Sequence, residues 1–362
     1  MKIYTCSCGQ PLFFENSRCL RCDSELGFCT ACNTLTPLTD TGNGKARCGN
    51  PACGAILVKC TNYSKYNVCN RCIVAPGGEA PSQAYCDCCR YNLTIPDLHV
   101  AGNLDKWYRL EVAKRRLFYD LELLNLPHGT ASEGFEPPLS FHFKDDVIPA
   151  FDFWRSMGPK ERVYTGHADG HITINIREAD EVERERLRVD MGEAHRTLIG
   201  HFRHEIGHYY WEILIKGWRE AEFTSIFGDP YHPDYATALE NYYGSRARPD
   251  WAESHVSAYA SMHPWEDWAE TFAMYLDMVS ALETAVQIGF LPGPWFKDDD
   301  LDWMVGRYQR LGIGLNEMSR TLGLLDMVPE IMVAPVVEKL RFVHSVCRDV
   351  RSEQRQITGG AS

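Results

Sequence analysis

Two histidines four residues apart flank an acid in the run His204-Glu205-Ile206-Gly207-His208. On an α-helix, positions i and i+4 lie one above the other on one face. Both imidazoles can then meet one metal ion, with the Glu205 carboxylate placed to reach a water beside it. This is the chemistry of a zinc hydrolase: two ligands and a general base from one turn of helix. Such a zinc needs a third protein ligand and an open position. Downstream, the stretch from Met262 to Leu276 offers Glu266 and Glu270, four residues apart on a helix that Pro264 can start. Glu266 reads as the third ligand and Glu270 as the acid that orients a ligand histidine, with the reverse assignment the alternative. Hydrolysis also asks for a donor to the oxyanion, for which His263 and Tyr259 are the candidates. His201, one turn before His204, reads as a supporting or core residue.

Fifteen cysteines are present, and all but Cys347 fall between Cys6 and Cys89. Cys6-x-Cys8 with Cys19-x-x-Cys22 delivers four sulfurs in two close pairs, and so does Cys29-x-x-Cys32 with Cys48-x4-Cys53. Clustered pairs of this kind in a reducing compartment are zinc ligands. A closed four-thiolate shell leaves no room for substrate, so these sites are structural. A third group holds Cys60, Cys69, Cys72, Cys86, Cys88 and Cys89, two more than one site needs. Local spacing favours Cys69 and Cys72 with Cys86 and Cys89. Cys60 and Cys69 with Cys86 and Cys89 is a second combination, and the surplus pair reads as free buried thiols. The expected metal content is one catalytic zinc and about three structural ones.

Several elements must position these residues. Leu198, Ile199, Phe202, Ile206 and Tyr209 give the active-site helix an apolar side, over a span from Glu193–Thr197 to about Lys216. Asn103 can cap a helix over 104–124, where Trp107, Leu110, Leu117, Leu121 and Leu124 recur at helical spacing and Lys114-Arg115-Arg116 forms a solvated basic face. Leu139 to Phe143 reads as a short strand. Ala168-Asp169-Gly170 supplies a turn before Ile172, Ile174 and Ile176, which alternate with Thr173 and Asn175. Residues 171–176 are the candidate strand for pairing with an extended peptide, or else an internal sheet strand. Residues 178–188 read as a charged helix on a solvated face. The C-terminal segments from Asp300 and from Val336 are amphipathic helices, with His344 and Cys347 read as lacking partners.

Composition bounds the rest. The 362 residues are 44% hydrophobic and 24% charged, with a net charge of −12. No run is long and apolar enough to span a membrane, and the first residues lack a signal-peptide core, so a cytoplasmic location is expected. Each four-thiolate zinc site adds further negative charge. That balance argues against a nucleic-acid surface, apart from a local strip at Lys114-Arg115-Arg116.

Five segments resemble a bacterial family of zinc-binding metallopeptidases with an N-terminal zinc ribbon. They are Thr94-Ile-Pro-Asp-Leu98, Trp107 to Leu117, Gly166 to Ile176, Gly200 to Trp211 and His263 to Thr271. The likeness runs from about Cys60 to Cys347, and its catalytic elements are similar to the gluzincin class. It implies Cys60, Cys69, Cys86 and Cys89 as the third tetrad. The cluster of Cys29, Cys32, Cys48 and Cys53, with Cys72 and Cys88, looks like an addition in this chain.

The expected fold is α+β. Tandem zinc ribbons occupy 1–95, a linker and packing helix 96–128, and a mainly helical, zincin-like metallopeptidase domain with a small β-sheet 129–355. A disordered tail fills 356–362. The expected activity is zinc-dependent hydrolysis of a peptide or protein substrate, with the ribbons recruiting it. The competing reading is a zinc-ribbon module for protein or nucleic acid on an inactive peptidase-like scaffold. An intact Glu205 argues against it.

Overall fold

The computed structural model describes residues 1–75, 84–146, 165–191, 197–245, 248–329 and 331–359. By compactness the chain divides differently from the linear order above. One unit comprises Met1–Phe118, Ser140–Gly166 and His171–Glu185, the other Tyr119–Leu139, His167–Gly170 and Arg186–Ser362. The architecture is α+β, as expected. Among the described residues, no helix is long and apolar enough to cross a membrane.

The first unit opens with β1 (Tyr4–Thr5) and β2 (Pro11–Leu12), an antiparallel pair. Next come β3 (Leu26–Cys29), β4 (Thr34–Gly42), β5 (Lys45–Cys48), β6 (Ile56–Lys59), α1 (Thr61–Tyr66) and β7 (Arg71–Val74). The strands β3 to β7 close into a barrel, the last link being a parallel pairing of β3 with β7. Leu26, Phe28, Leu35 and Leu57 are buried there. The barrel is a finding beyond the sequence reading, which saw ribbons alone. Four of its five strands are only four residues long, too short for alternation to register.

Sulfur geometry settles the cysteine groups. Sγ atoms lie 3.7 Å apart for Cys6 with Cys22 and for Cys8 with Cys19. The distances are 3.9 Å for Cys29 with Cys53, 3.8 Å for Cys32 with Cys48, and 3.8 Å for Cys69 with Cys86. A disulfide would bring the sulfurs to about 2.05 Å. A tetrahedral zinc with Zn–S bonds of about 2.3 Å sets them about 3.8 Å apart. The third tetrad is Cys60, Cys69, Cys86 and Cys89, wholly buried. This is the set that the family resemblance implies, whereas local spacing favours Cys72 over Cys60. Instead Cys72 lies on β7 with Cys29 as its strand neighbour, and Cys88 is buried outside the tetrad.

Then follow β8 (Asn92–Thr94), α2 (Asn103–Leu124), β9 (Ser140–Lys144), β10 (Gly166–Ala168), β11 (His171–Asn175) and α3 (Glu181–Met191). The expected basic face of α2 is largely buried: Lys114 and Arg115 are 0% and 1% exposed, while Arg116 is partly exposed and pairs with Glu15. Lys114 pairs with the buried Glu111 at 2.9 Å, and Arg115 Nη1 donates to the Val68 carbonyl. Glu111 also accepts from Asn92 Nδ2 at 2.6 Å, from Trp107 Nε1 at 3.1 Å and from the Cys89 thiol at 3.8 Å. Two buried cations thus offset the charge that four thiolates and Glu111 would place in the interior. Burial opposes ionising Cys69. Hydrogen bonds from Cys60, Cys86 and Cys89, together with the Arg115 charge, still hold it well below the usual thiol value.

The sheet has the order β10-β11-β9-β8. Residues 171–175 do form a strand, but it is internal, with β10 at the edge. A strand hydrogen-bonded on both sides has no free backbone for a peptide, so β11 is not the substrate strand. The turn between β10 and β11 is as expected. Asp169 and Gly170 have φ of 47° and 79°. A Cβ on Gly170 would lie 2.3 Å from the Pro138 carbonyl oxygen, within the second unit.

The second unit is helical: α4 (Leu198–Leu214), α5 (Glu220–Phe227), α6 (Tyr235–Ser245), α7 (Pro264–Gln287), α8 (Leu301–Thr321) and α9 (Ala334–Gly359). Thr197 caps α4, accepting from Gly200 N at 3.0 Å. The expected start at Glu193 lies outside the described residues. His344 has partners after all: Tyr275 Oη at 2.9 Å and the Asp298 carbonyl at 3.1 Å. Cys347 is fully buried. The tail is helical to Gly359, and 360–362 lie outside the described residues.

Stepwise chelation should release the Cys6/Cys8/Cys19/Cys22 metal before that of the third tetrad, because Cys22 is exposed and the other four sulfurs are not. Alkylation of freed thiols, mapped by peptide mass spectrometry, reads the order. First release from Cys60, Cys69, Cys86 and Cys89 would contradict the charge argument.

Candidate metal centre

The centre is made by α4 and α7. Gly207 on α4 and Ala269 on α7 bring the two backbones close, since a Cβ on Gly207 would stand 3.0 Å from Ala269 Cα and 3.2 Å from its carbonyl oxygen. Trp268 Nε1 donates to the Gly207 carbonyl at 2.8 Å across the same crossing. Next to the motif, Arg203 Nη2 reaches the buried Asp120 on α2 at 2.6 Å and Nη1 pairs with Asp277 on α7. Because removing one partner of a buried pair strands the other, the Arg203–Asp120 link is costly to break, at about 3–5 kcal/mol.

This crossing lays Glu266 against both histidines. His204 Nε2 and His208 Nε2 are 3.1 Å apart. Glu266 Oε2, shut off from solvent, lies 3.0 Å from the first and 3.4 Å from the second. A tetrahedral zinc with bonds of about 2.0–2.1 Å would set its ligands about 3.3–3.4 Å apart. Three donors facing one point at nearly that spacing fit a zinc ion. Burial opposes charge on His204, but the Glu266 and Glu270 carboxylates outweigh it and hold its pKa well above the usual imidazole value. Burial likewise opposes ionised Glu266, yet the two imidazoles keep its carboxyl well below the usual range. The pocket is therefore built for positive charge.

Glu270 stands behind this triangle. Its Oε1 lies 2.6 Å from His204 Nδ1, and its Oε2 accepts from Ser257 Oγ at 2.8 Å. Glu266 thus faces the point of convergence, and Glu270 lies on the far side of His204. Glu205 follows His204 on α4 and is 7% exposed. His201 is not among the converging donors.

The candidate oxyanion donors are placed differently from each other. Tyr259 packs its ring 6.2 Å from the ring of His204. His263 caps α7, its Nδ1 accepting from Trp265 N at 3.1 Å. Several residues at the site escaped the sequence reading. Tyr235 Oη donates to Glu266 Oε1 at 2.8 Å. Trp265 lays its ring over His208 with centroids 3.9 Å apart. His167, on β10, stacks with His208 at 6.3 Å and 20°. Asp234, which can cap the helix carrying Tyr235, was the one local signal; which helix that residue would meet is not periodic information.

A family model described as "Putative zinc-binding metallo-peptidase" matches residues 103–346, which include all these donors. The chain belongs to this family. A second model, described as a zinc-ribbon domain, matches residues 3–100, a span that includes the Cys29/Cys32/Cys48/Cys53 cluster. The metallopeptidase family member is similar to an uncharacterized protein of Mycobacterium tuberculosis (strain H37Rv), 36% identical over 359 residues, covering 97% of this chain and 96% of the relative. An uncharacterized protein of Mycobacterium bovis matches with the same identity and coverage. No solved structure matches.

The close crossing predicts the effect of Gly207→Ala. Alanine favours a helix by about 1 kcal/mol over glycine, but here the added methyl meets the Ala269 backbone. The expected result is a lower melting temperature and weaker metal binding at the His204/His208/Glu266 site, read by calorimetry and metal analysis. A stabilised variant with wild-type metal affinity would show that the crossing does not set the site.

Proposed function

We propose that this protein is a zinc-dependent peptidase of the gluzincin type. One observation carries the reading: two imidazole nitrogens and a buried carboxylate oxygen meet within 3.0 to 3.4 Å, next to an acid on the same helical turn. In this reading His204, His208 and Glu266 hold the catalytic zinc, and the three cysteine tetrads hold structural zinc. When bound, zinc supplies a Lewis acid and a water of near-neutral pKa.

The chain's own residues do the rest. Glu205 Oε accepts a proton from the attacking water and returns it to the nitrogen of the leaving amine. Glu270, held by Ser257, fixes the His204 proton on Nδ1 and leaves Nε2 free to ligate. Tyr259 is the donor to the developing oxyanion, while His263 supports α7 through its capping bond. The substrate is a peptide or protein. Leu20, 90% exposed between Cys19 and Cys22, and Phe13, 56% exposed after β2, support recruitment of a protein by the ribbons. Nucleic acid loses its strongest support with Lys114 and Arg115 buried. Unbridged thiol tetrads support a cytoplasmic setting.

Glu205→Gln should abolish hydrolysis of a diverse peptide library while retaining the full zinc count, and His204→Ala should lower that count by one. Continued cleavage by zinc-loaded Glu205→Gln protein would remove the general base from this scheme.

A further inference from the structure

We propose that Tyr235 is a positioning residue that confines Glu266 to one metal-facing oxygen and so keeps a coordination position open; this rests on the hydrolase reading above. A carboxylate with both oxygens free can chelate a divalent ion through both. On zinc, the second oxygen would crowd the position a catalytic site leaves for water and raise the coordination number. At this site the two oxygens are divided. Oε2 meets the nitrogens of His204 and His208 at 3.0 and 3.4 Å, while Oε1 accepts from Tyr235 Oη at 2.8 Å.

A phenol has a single proton to give. Since Tyr235 gives its proton to Glu266, it can only accept from Tyr259, whose Oη lies 3.5 Å away. The donor sequence is therefore Tyr259 to Tyr235 to Glu266. At 3.5 Å the first link is at the limit of a hydrogen bond, so the Tyr259 hydroxyl can turn to a substrate oxygen while its ring stays packed against His204 and Tyr242. Tyr235 is firmly held. Its ring packs at 5.4 Å against His263 and 5.7 Å against Trp265, on either side of the start of α7. Asp234 pins the first turn of α6 by accepting from Thr237 N at 3.1 Å and Thr237 Oγ1 at 2.8 Å. Helix α6 thus acts on the metal centre through one hydroxyl.

Cobalt(II) tests this without reliance on turnover. Mild chelation empties the open site of the full-length protein while the thiolate sites keep zinc. One cobalt ion is then added, and His204→Ala serves as the control that loses it. Tyr235→Phe keeps the ring and removes the hydroxyl. The expected result is a severalfold weaker visible d–d absorption than wild type, as a second Glu266 oxygen joins the shell beside the bound water and raises the coordination number, with hydrolysis reduced by about 10- to 100-fold. Tyr259→Phe should keep the wild-type cobalt spectrum, because Tyr259 reaches Glu266 only through Tyr235. An unchanged spectrum in Tyr235→Phe overturns the proposal, even if hydrolysis falls. A folded Tyr235→Phe protein that takes up no cobalt, or a Tyr259→Phe spectrum altered like that of Tyr235→Phe, also overturns it. The predicted spectral change in a protein that cleaves no peptide supports the role of Tyr235 and sinks the peptidase reading instead.

Discussion

The metal centre depends on how closely α4 and α7 approach. Two histidines on one helical turn can offer nitrogens, but they cannot supply the carboxylate that completes the set. That comes from Glu266, and its reach is set where Gly207 lies against the Ala269 backbone. A Cβ at position 207 would crowd the Ala269 backbone across the crossing. The Trp268 bond to the Gly207 carbonyl and the Arg203 pairs with Asp120 and Asp277 hold the crossing from other sides. The glycine inside the motif is thus a packing requirement, while the residues around it carry the chemistry.

Charge is the second constraint. At the α4/α7 centre, two carboxylates lie around one imidazole, an arrangement that only a cation, proton or metal, makes tolerable. At the third cysteine tetrad the sign is reversed, and Lys114 and Arg115 are buried beside thiolates and Glu111. The same physics removes Lys114 and Arg115 from the basic strip at 114–116, leaving Arg116 partly exposed and paired with Glu15. A run of cations on an amphipathic helix reads as solvated when its neighbours are unknown. Fourteen clustered cysteines were the hint that interior negative charge would need a partner.

Some of this was legible because it is local. The i,i+4 geometry of His204 and His208, the helix start at Pro264, the turn at Asp169-Gly170 and the pairing of Cys6/Cys8 with Cys19/Cys22 all lie within short stretches of chain. The five-stranded barrel was not legible, since its strands are too short to show a period and it closes through β3 and β7, far apart in sequence. Nor was the internal position of β11, because alternation reports which face is buried and not whether a strand has neighbours on both edges.

The sequence by itself determined the donor types: two histidines and an acid on one turn, two acids on another, and cysteines in close pairs. Tertiary structure decided the assignments among them. It placed Glu266 rather than Glu270 against both Nε2 atoms, took Cys60 in place of Cys72, and brought Tyr235 from a separate helix onto Glu266 Oε1. The physical reason is the same in each case. Residue type and spacing are properties of the chain, whereas an angstrom-scale distance between helices is set by what packs between them.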